Sequence, residues 1–147
     1  MTTATLALPS DYGYVCLVLF ATVLIHHFYM SFSVGAARKK YNVKYPLLYA
    51  NGDDEASKTF NCIQRAHQQS LENLPQFLAF LLLAGLKFPI YASIAGVVYL
   101  LGRIVYFAGY STGDPNKRLR GAFMYFGLLF LYGAVVFMGV QLLRNGY

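Results

Sequence analysis

The stretch "FNCIQRAHQQSLENLPQFLAFLLLAG", residues 60–85, decides how this chain is read. Its second half is almost wholly apolar, while its first half carries Arg65, His67 and Glu72. A charge near the centre of a bilayer costs at least ~2.5 kcal/mol, so a membrane segment with an arginine and a glutamate needs something that compensates for them. At about 100° per residue, Asn61, Arg65, Gln69, Glu72 and Gln76 fall on one narrow helical face, flanked by Gln68. A polar stripe of this kind faces the inside of a helical assembly or a watery cleft, not lipid. Pro75 lies within the same run and is expected to kink the helix, freeing the carbonyl of Leu71.

Outward from this stretch, three more apolar segments appear. The four run over residues 12–37, 60–88, 90–112 and 119–143 of a 147-residue chain that is 57% hydrophobic and only 12% charged. Each reaches the ~20 residues needed to span the hydrocarbon core. A bilayer admits only helices or closed barrels, and these runs are too long and too little alternating for barrel strands. The expectation is an all-α integral membrane protein: a four-transmembrane-helix bundle, antiparallel and up-down, in one domain over 1–147. "FPI" at 88–90 makes a tight turn between the second and third helices. Pro46 and "NGDDEAS" break the one long loop, where Asp53, Asp54 and Glu55 read as a solvated tip. "MTTATLALPSDYGY" has no basic residue and no small-residue cleavage site, so the first segment reads as retained.

The net charge of +6 is unevenly placed. Arg38, Lys39, Lys40, Lys44 and Lys58 lie between the first two segments, and Lys117, Arg118 and Arg120 between the last two. Positive charge collects on the cytoplasmic side, which puts both basic loops there and both termini in the opposite compartment. Lys39, Lys40 and Lys44 also suit lipid headgroups. Charge that flanks membrane segments argues against nucleic acid. Cys16 and Cys62 are too few for a disulfide framework or metal site and read as small packing residues. His26 and His27 point about 100° apart on a helix and read as packing or interfacial side chains, with no metal site.

The third helix carries a second stripe, Tyr99, Arg103, Tyr106 and Tyr110, at spacings of four, three and four, the mark of a seam against another helix. An internal pair such as Arg103 with Glu72 is the plain structural reading. Arg65, together with Arg38 and Arg118, would attract an anion, because arginine grips carboxylates bidentately. A glutamate beside them suits an amino group. Such a set fits a small zwitterion with excess carboxylates, entering from the cytoplasm beside a groove for an apolar co-substrate.

"FNCIQRAHQQSLENLP" and "GRIVYFAGYSTGDPNKRLRGA", with "GAARKKYNVKYPLLYA", resemble the MAPEG family of membrane glutathione enzymes over nearly the whole chain. An R-x-H-x-x-x-x-E-x-x-P block and an R-x-x-Y-x-x-x-Y block carry the resemblance. It implies a homotrimer in the endoplasmic reticulum membrane, with the mitochondrial outer membrane as the other location. It also implies glutathione as co-substrate between subunits, with no metal and no flavin. By the resemblance Arg65, Glu72, Tyr106 and Tyr110 grip glutathione, with Gln69 and Asn73 at positions where relatives carry Asn or an aromatic residue. Arg38 and His67 come from the neighbouring subunit. Arg118 matches the family's thiol-activating arginine, with Arg120 its competitor because the loop is about one residue longer. Lys39 falls near the second substrate.

The chemistry so implied is attack by a glutathione thiolate on a lipophilic electrophile, an epoxide such as leukotriene A or a lipid hydroperoxide. The protein is then a transferase with peroxidase capacity. The alternative is a non-catalytic lipid-binding scaffold of the same family. A small channel or transporter is a weaker reading, since no pair of broken helices appears.

Overall fold

A computed structural model describes residues 8–145. The described residues form helices α1 (Tyr12–Lys40), α2 (Glu55–Lys87), α3 (Pro89–Tyr110) and α4 (Met124–Asn145). A short 3-10 helix, Pro115–Gly121, precedes α4. The "MTTATLA" part of the expected retained leader lies outside the described residues. α1 carries one wide, π-type stretch, Leu24–Met30, a distortion often found at functional sites.

Local chemistry explains most of the boundaries. Asp54 caps α2: its carboxylate accepts hydrogen bonds from the Ser57 backbone N–H at 2.9 Å and from the Ser57 hydroxyl at 2.8 Å. These bonds hold the Asp54 pKa below the ordinary aspartate value. The cap is therefore complete at neutral pH and is lost as pH falls through that depressed value. The acidic tip thus starts a helix as well as facing water, and α2 begins five residues before the expected 60. Pro89 opens α3 at a position where its missing N–H costs nothing. α2 runs unbroken through Pro75. The last segment starts at Met124 and not at 119, because Asp114 and Pro115 first set up the 3-10 turn, with Asp114 accepting from the Asn116 N–H at 2.9 Å.

The contacts fix the direction of each helix. Val15 of α1 lies beside Gly85 of α2, and Ser31 beside His67, so these two helices are antiparallel. Val18 lies beside Gly96, and Tyr29 packs edge-on against Phe107, so α1 runs parallel to α3. Phe77 and Tyr99 stack with ring centroids 4.0 Å apart, near the centre of the α2–α3 contact. The shared core runs through Val15, Phe77, Leu81, Tyr99, Met124 and Leu131, all fully buried. Large apolar side chains also point outward: Leu17, Phe126 and Leu143 are 65%, 74% and 88% exposed, a surface that suits lipid. Cys62 is buried as expected, whereas Cys16 faces outward with that apolar surface. His26 is buried with Nδ1 against the Thr22 carbonyl at 3.0 Å.

Among the described residues three helices are long and apolar enough to cross a membrane: Tyr12–Lys40, Pro89–Tyr110 and Met124–Arg144. The 33-residue α2 has the length, but its first half holds the polar stripe.

α3 and α4 approach closely at Gly127, where an added Cβ would run into the Ala95 carbonyl of α3. Backbone cannot yield there as a flexible side chain could. Gly127→Val is therefore expected to destabilise the fold by about 1–3 kcal/mol, seen as a lower thermal unfolding midpoint in detergent. An unchanged midpoint would show that the helices can separate without cost.

Candidate functional site

The start of α2, the end of α3 and the 3-10 turn meet around a hollow of about 340 Å³, at the small end of the ~300–1,000 Å³ range of small-molecule sites. Tyr49, Lys58, Asn61, Arg65, Tyr110 and Pro115 line it. Arg65 Nη1 donates to Glu72 Oε1 at 2.7 Å. The two residues lie two turns apart on one face of α2, yet their side chains stay 41% and 47% exposed. A water-exposed pair of this kind holds little energy, about 0–1 kcal/mol. Either partner can therefore exchange the other for a ligand carboxylate or amine at small cost.

On the facing side, the Tyr106 and Tyr110 rings meet edge-to-face at 5.8 Å. The Arg118 guanidinium lies over the Tyr110 ring, 5.5 Å from its centroid, and Nη1 donates to the Pro115 carbonyl at 2.8 Å. The 3-10 turn thus holds Arg118 against Tyr110 and Pro115, two residues that line the hollow. Arg120 is exposed and makes no side-chain hydrogen bond or ion pair among the described residues. Cys62 Sγ closes part of the floor against the Gly113 carbonyl at 3.6 Å.

Arg103 is fully buried. Among the described residues it pairs with neither Glu72 nor any other carboxylate, so the plain structural reading of an internal Arg103–Glu72 pair does not hold. Instead Nε donates to the Tyr99 hydroxyl at 2.9 Å and Nη1 to Gln69 Oε1. Gln69 is turned to this buried guanidinium, and its side-chain amide oxygen is the group that meets Arg103. Asn73 Nδ2 donates back to the Gln69 carbonyl at 2.8 Å, and Gln76 to Asn73 Oδ1 at 2.8 Å. Gln69 and Asn73 are therefore engaged within their own chain.

The remaining candidates lie elsewhere. His67 is half-buried against α1, with Nε2 3.3 Å from the Ser31 hydroxyl. Arg38 sits at the end of α1, where Nη1 donates to the Leu47 carbonyl at 2.7 Å, and Lys39 is exposed beside it. One chain thus gathers Arg65, Glu72, Tyr106, Tyr110 and Arg118 at one crevice and carries Arg38, Lys39 and His67 on its α1 side. Tyr49 was not foreseen. Its hydroxyl donates to Gln68 Oε1 at 2.5 Å, while the Asn61 side chain clamps Ala50 through bonds of 2.8 and 3.0 Å. Together they hold the long loop over the hollow. A loop residue has no periodicity by which sequence alone could place it there. Among the described residues no group of three His, Cys, Asp or Glu side chains is close enough to hold a metal ion.

Apolar helices with outward-facing hydrophobic side chains, and a polar crevice open to water near their ends, define a multi-pass membrane protein. The chain belongs to the MAPEG family, whose description residues 14–140 match. It is 35% identical over 113 residues to human microsomal glutathione S-transferase 2, covering 76% of this chain and 72% of that protein. It is 34% identical over 113 residues to bovine leukotriene C4 synthase, covering 76% and 71%. An uncharacterised Synechocystis protein is 40% identical over 90 residues, covering 60% and 61%.

Proposed function

We propose that this chain is a membrane glutathione transferase that activates the glutathione thiol for attack on lipophilic electrophiles. The observation that carries the reading is the solvent-open Arg65–Glu72 pair facing Tyr110 and Arg118, in a chain of this family. Arg65 receives a glutathione carboxylate, Glu72 its amino group, and the Tyr106 and Tyr110 hydroxyls add neutral donors. Arg38 keeps further N–H donors beyond those given to Leu47 and Leu48. It serves, with His67, the crevice of a neighbouring copy in a homotrimer, since both lie away from their own. Gln69 acts from behind, through Arg103. Lys39 borders the second substrate. α2 also spans the membrane, its polar stripe turned inward, which makes four spanning helices with both termini lumenal in the endoplasmic reticulum.

Arg118 stabilises the thiolate electrostatically. A free thiol has a pKa of ~8.5, and a neighbouring cation lowers it by one or more units. With an epoxide of the leukotriene A type, sulfur bonds to carbon, the C–O bond breaks, and the alkoxide takes a proton. With a lipid hydroperoxide, sulfur attacks the terminal oxygen, the O–O bond breaks and an alcohol leaves. The first step leaves the sulfenic acid GS–OH; a second glutathione thiol attacks its sulfur, an S–S bond forms, the S–O bond breaks, and water leaves with glutathione disulfide as the product. Orientation and fixed charge are the protein's share.

Arg118→Ala is expected to move the ultraviolet thiolate titration of the glutathione complex up by at least one pH unit, with Arg120→Ala leaving it in place. The opposite pattern would transfer the role to Arg120. Saturable glutathione binding by the purified protein separates this reading from a lipid-binding scaffold, which should show none.

A further inference from the structure

Lys40 and Lys44, at and just beyond the end of α1, have a geometry that the crevice does not explain. No acidic residue occurs between residues 31 and 52, and the ion pairs among the described residues are Arg65–Glu72 and Lys117–Asp114. Lys39, Lys40 and Lys44 are therefore exposed cations without a carboxylate partner. They do not sit on a floppy tail. Asn42 adopts a left-handed conformation, φ 54°, and the Val43 N–H returns to the Arg38 carbonyl at 3.0 Å, folding the chain back at the helix end. The Arg38 side chain then staples the loop from inside. It donates to the Leu47 and Leu48 carbonyls at 2.7 and 3.4 Å and lies 4.7 Å from the Tyr45 ring centroid.

The staple turns apolar side chains outward beside the cations. Tyr45, Leu47 and Leu48 are 81%, 45% and 49% exposed. They follow directly on a 29-residue helix long and apolar enough to cross a membrane. A hollow of about 340 Å³ between the helix end and the loop is lined by Lys39, Asn42, Lys44 and Tyr45. Exposed hydrophobes costing free energy in water, set against unpaired ammonium groups at the level where a membrane helix ends, match one surface: the headgroup region of an anionic leaflet. Tyrosine is at home in that region.

We propose that the α1 end and residues 41–48 form a docking foot for anionic phospholipid, with Lys44 and Lys40 holding the headgroup and Tyr45, Leu47 and Leu48 entering the acyl boundary. The residues varied in its test, Lys40, Lys44, Leu47 and Leu48, are not among those given to glutathione or the second substrate, so that test does not depend on the glutathione reading.

The full chain in nanodiscs of phosphatidylcholine containing a minor fraction of phosphatidylserine provides the test. Phosphatidylserine retained after gentle detergent release is counted by native mass spectrometry. The wild-type protein should retain it in preference to phosphatidylcholine. Lys40→Gln with Lys44→Gln should lower that preference by about five-fold per lysine, Lys→Arg at both positions should keep it, and Leu47→Ser with Leu48→Ser should weaken retention of both lipids. An unaltered thermal midpoint in each variant confirms that the fold survives, as exposed positions should allow. Three results would overturn the proposal. One is equal retention of the two lipids by the wild-type protein. Another is displacement of bound lipid by inorganic phosphate or soluble glycerophosphoserine, which would mark a free-anion site. The third is a glutamine variant that loses glutathione affinity while keeping its lipids, which would mark a patch that steers glutathione.

Discussion

Arg65→Ala is expected to weaken glutathione binding by about 10- to 100-fold, the loss of one charge-assisted interaction of about 1.5–3 kcal/mol. The folded protein should hardly notice. The Arg65–Glu72 pair is 41% and 47% exposed, so its removal changes stability by no more than ~1 kcal/mol. Arg65→Lys should recover only part of the affinity, because an ammonium keeps the charge but not the planar fork that matches a carboxylate. Isothermal titration with glutathione, run beside thermal unfolding of the same samples, reads both quantities. Should Arg65→Ala bind glutathione as tightly as the wild type, the crevice is not the carboxylate site.

The second large effect belongs to Arg103, and it falls on the fold. This side chain is fully buried among neutral partners, the Tyr99 hydroxyl and Gln69 Oε1. Its charge is softened by the Tyr99 and Tyr106 rings, whose centroids lie 5.0 and 5.6 Å away. Arg103→Ala removes a large buried side chain and strands the Gln69 carbonyl oxygen. The expected cost is about 3–5 kcal/mol, comparable to truncating a large aromatic core residue, with a correspondingly lower unfolding midpoint in detergent. Arg103→Met fills most of the space without a charge to desolvate and should restore much of that loss. Because the Gln69 side chain then loses its anchor, the Met variant should still bind glutathione more weakly than the wild type. Near-normal stability in Arg103→Ala would show that α2 and α3 close over the gap.

These two arginines mark the limit of what periodicity can read. The stripes on residues 61–76 and 99–110 read as inward faces; the third helix buries Tyr99, Arg103 and Tyr106, while Arg65, Glu72 and Gln76 of the second stay open on the single chain. Spacing alone could not decide which arginine lies in water and which in the core, since both occupy equivalent seam positions. Depth decides it: Arg65 lies at the open end of α2, whereas Arg103 is level with the Phe77–Tyr99 stack. The Gln69 side chain turns to Arg103, and the more exposed Glu72 is left to Arg65.

The order of apolar and polar residues along this chain by itself determined that it forms long helices, that most of them suit a bilayer, and that two carry polar faces turned from lipid. Burial of apolar surface and the helical repeat suffice for that, because both are local properties of sequence. Only the tertiary structure decided which polar groups meet, how Asn61 and Tyr49 draw the long loop over the hollow, and that Arg38 is spent partly on folding its own loop. Those outcomes depend on distances between segments far apart in the chain, and a hydrogen bond acts only over about 3 Å.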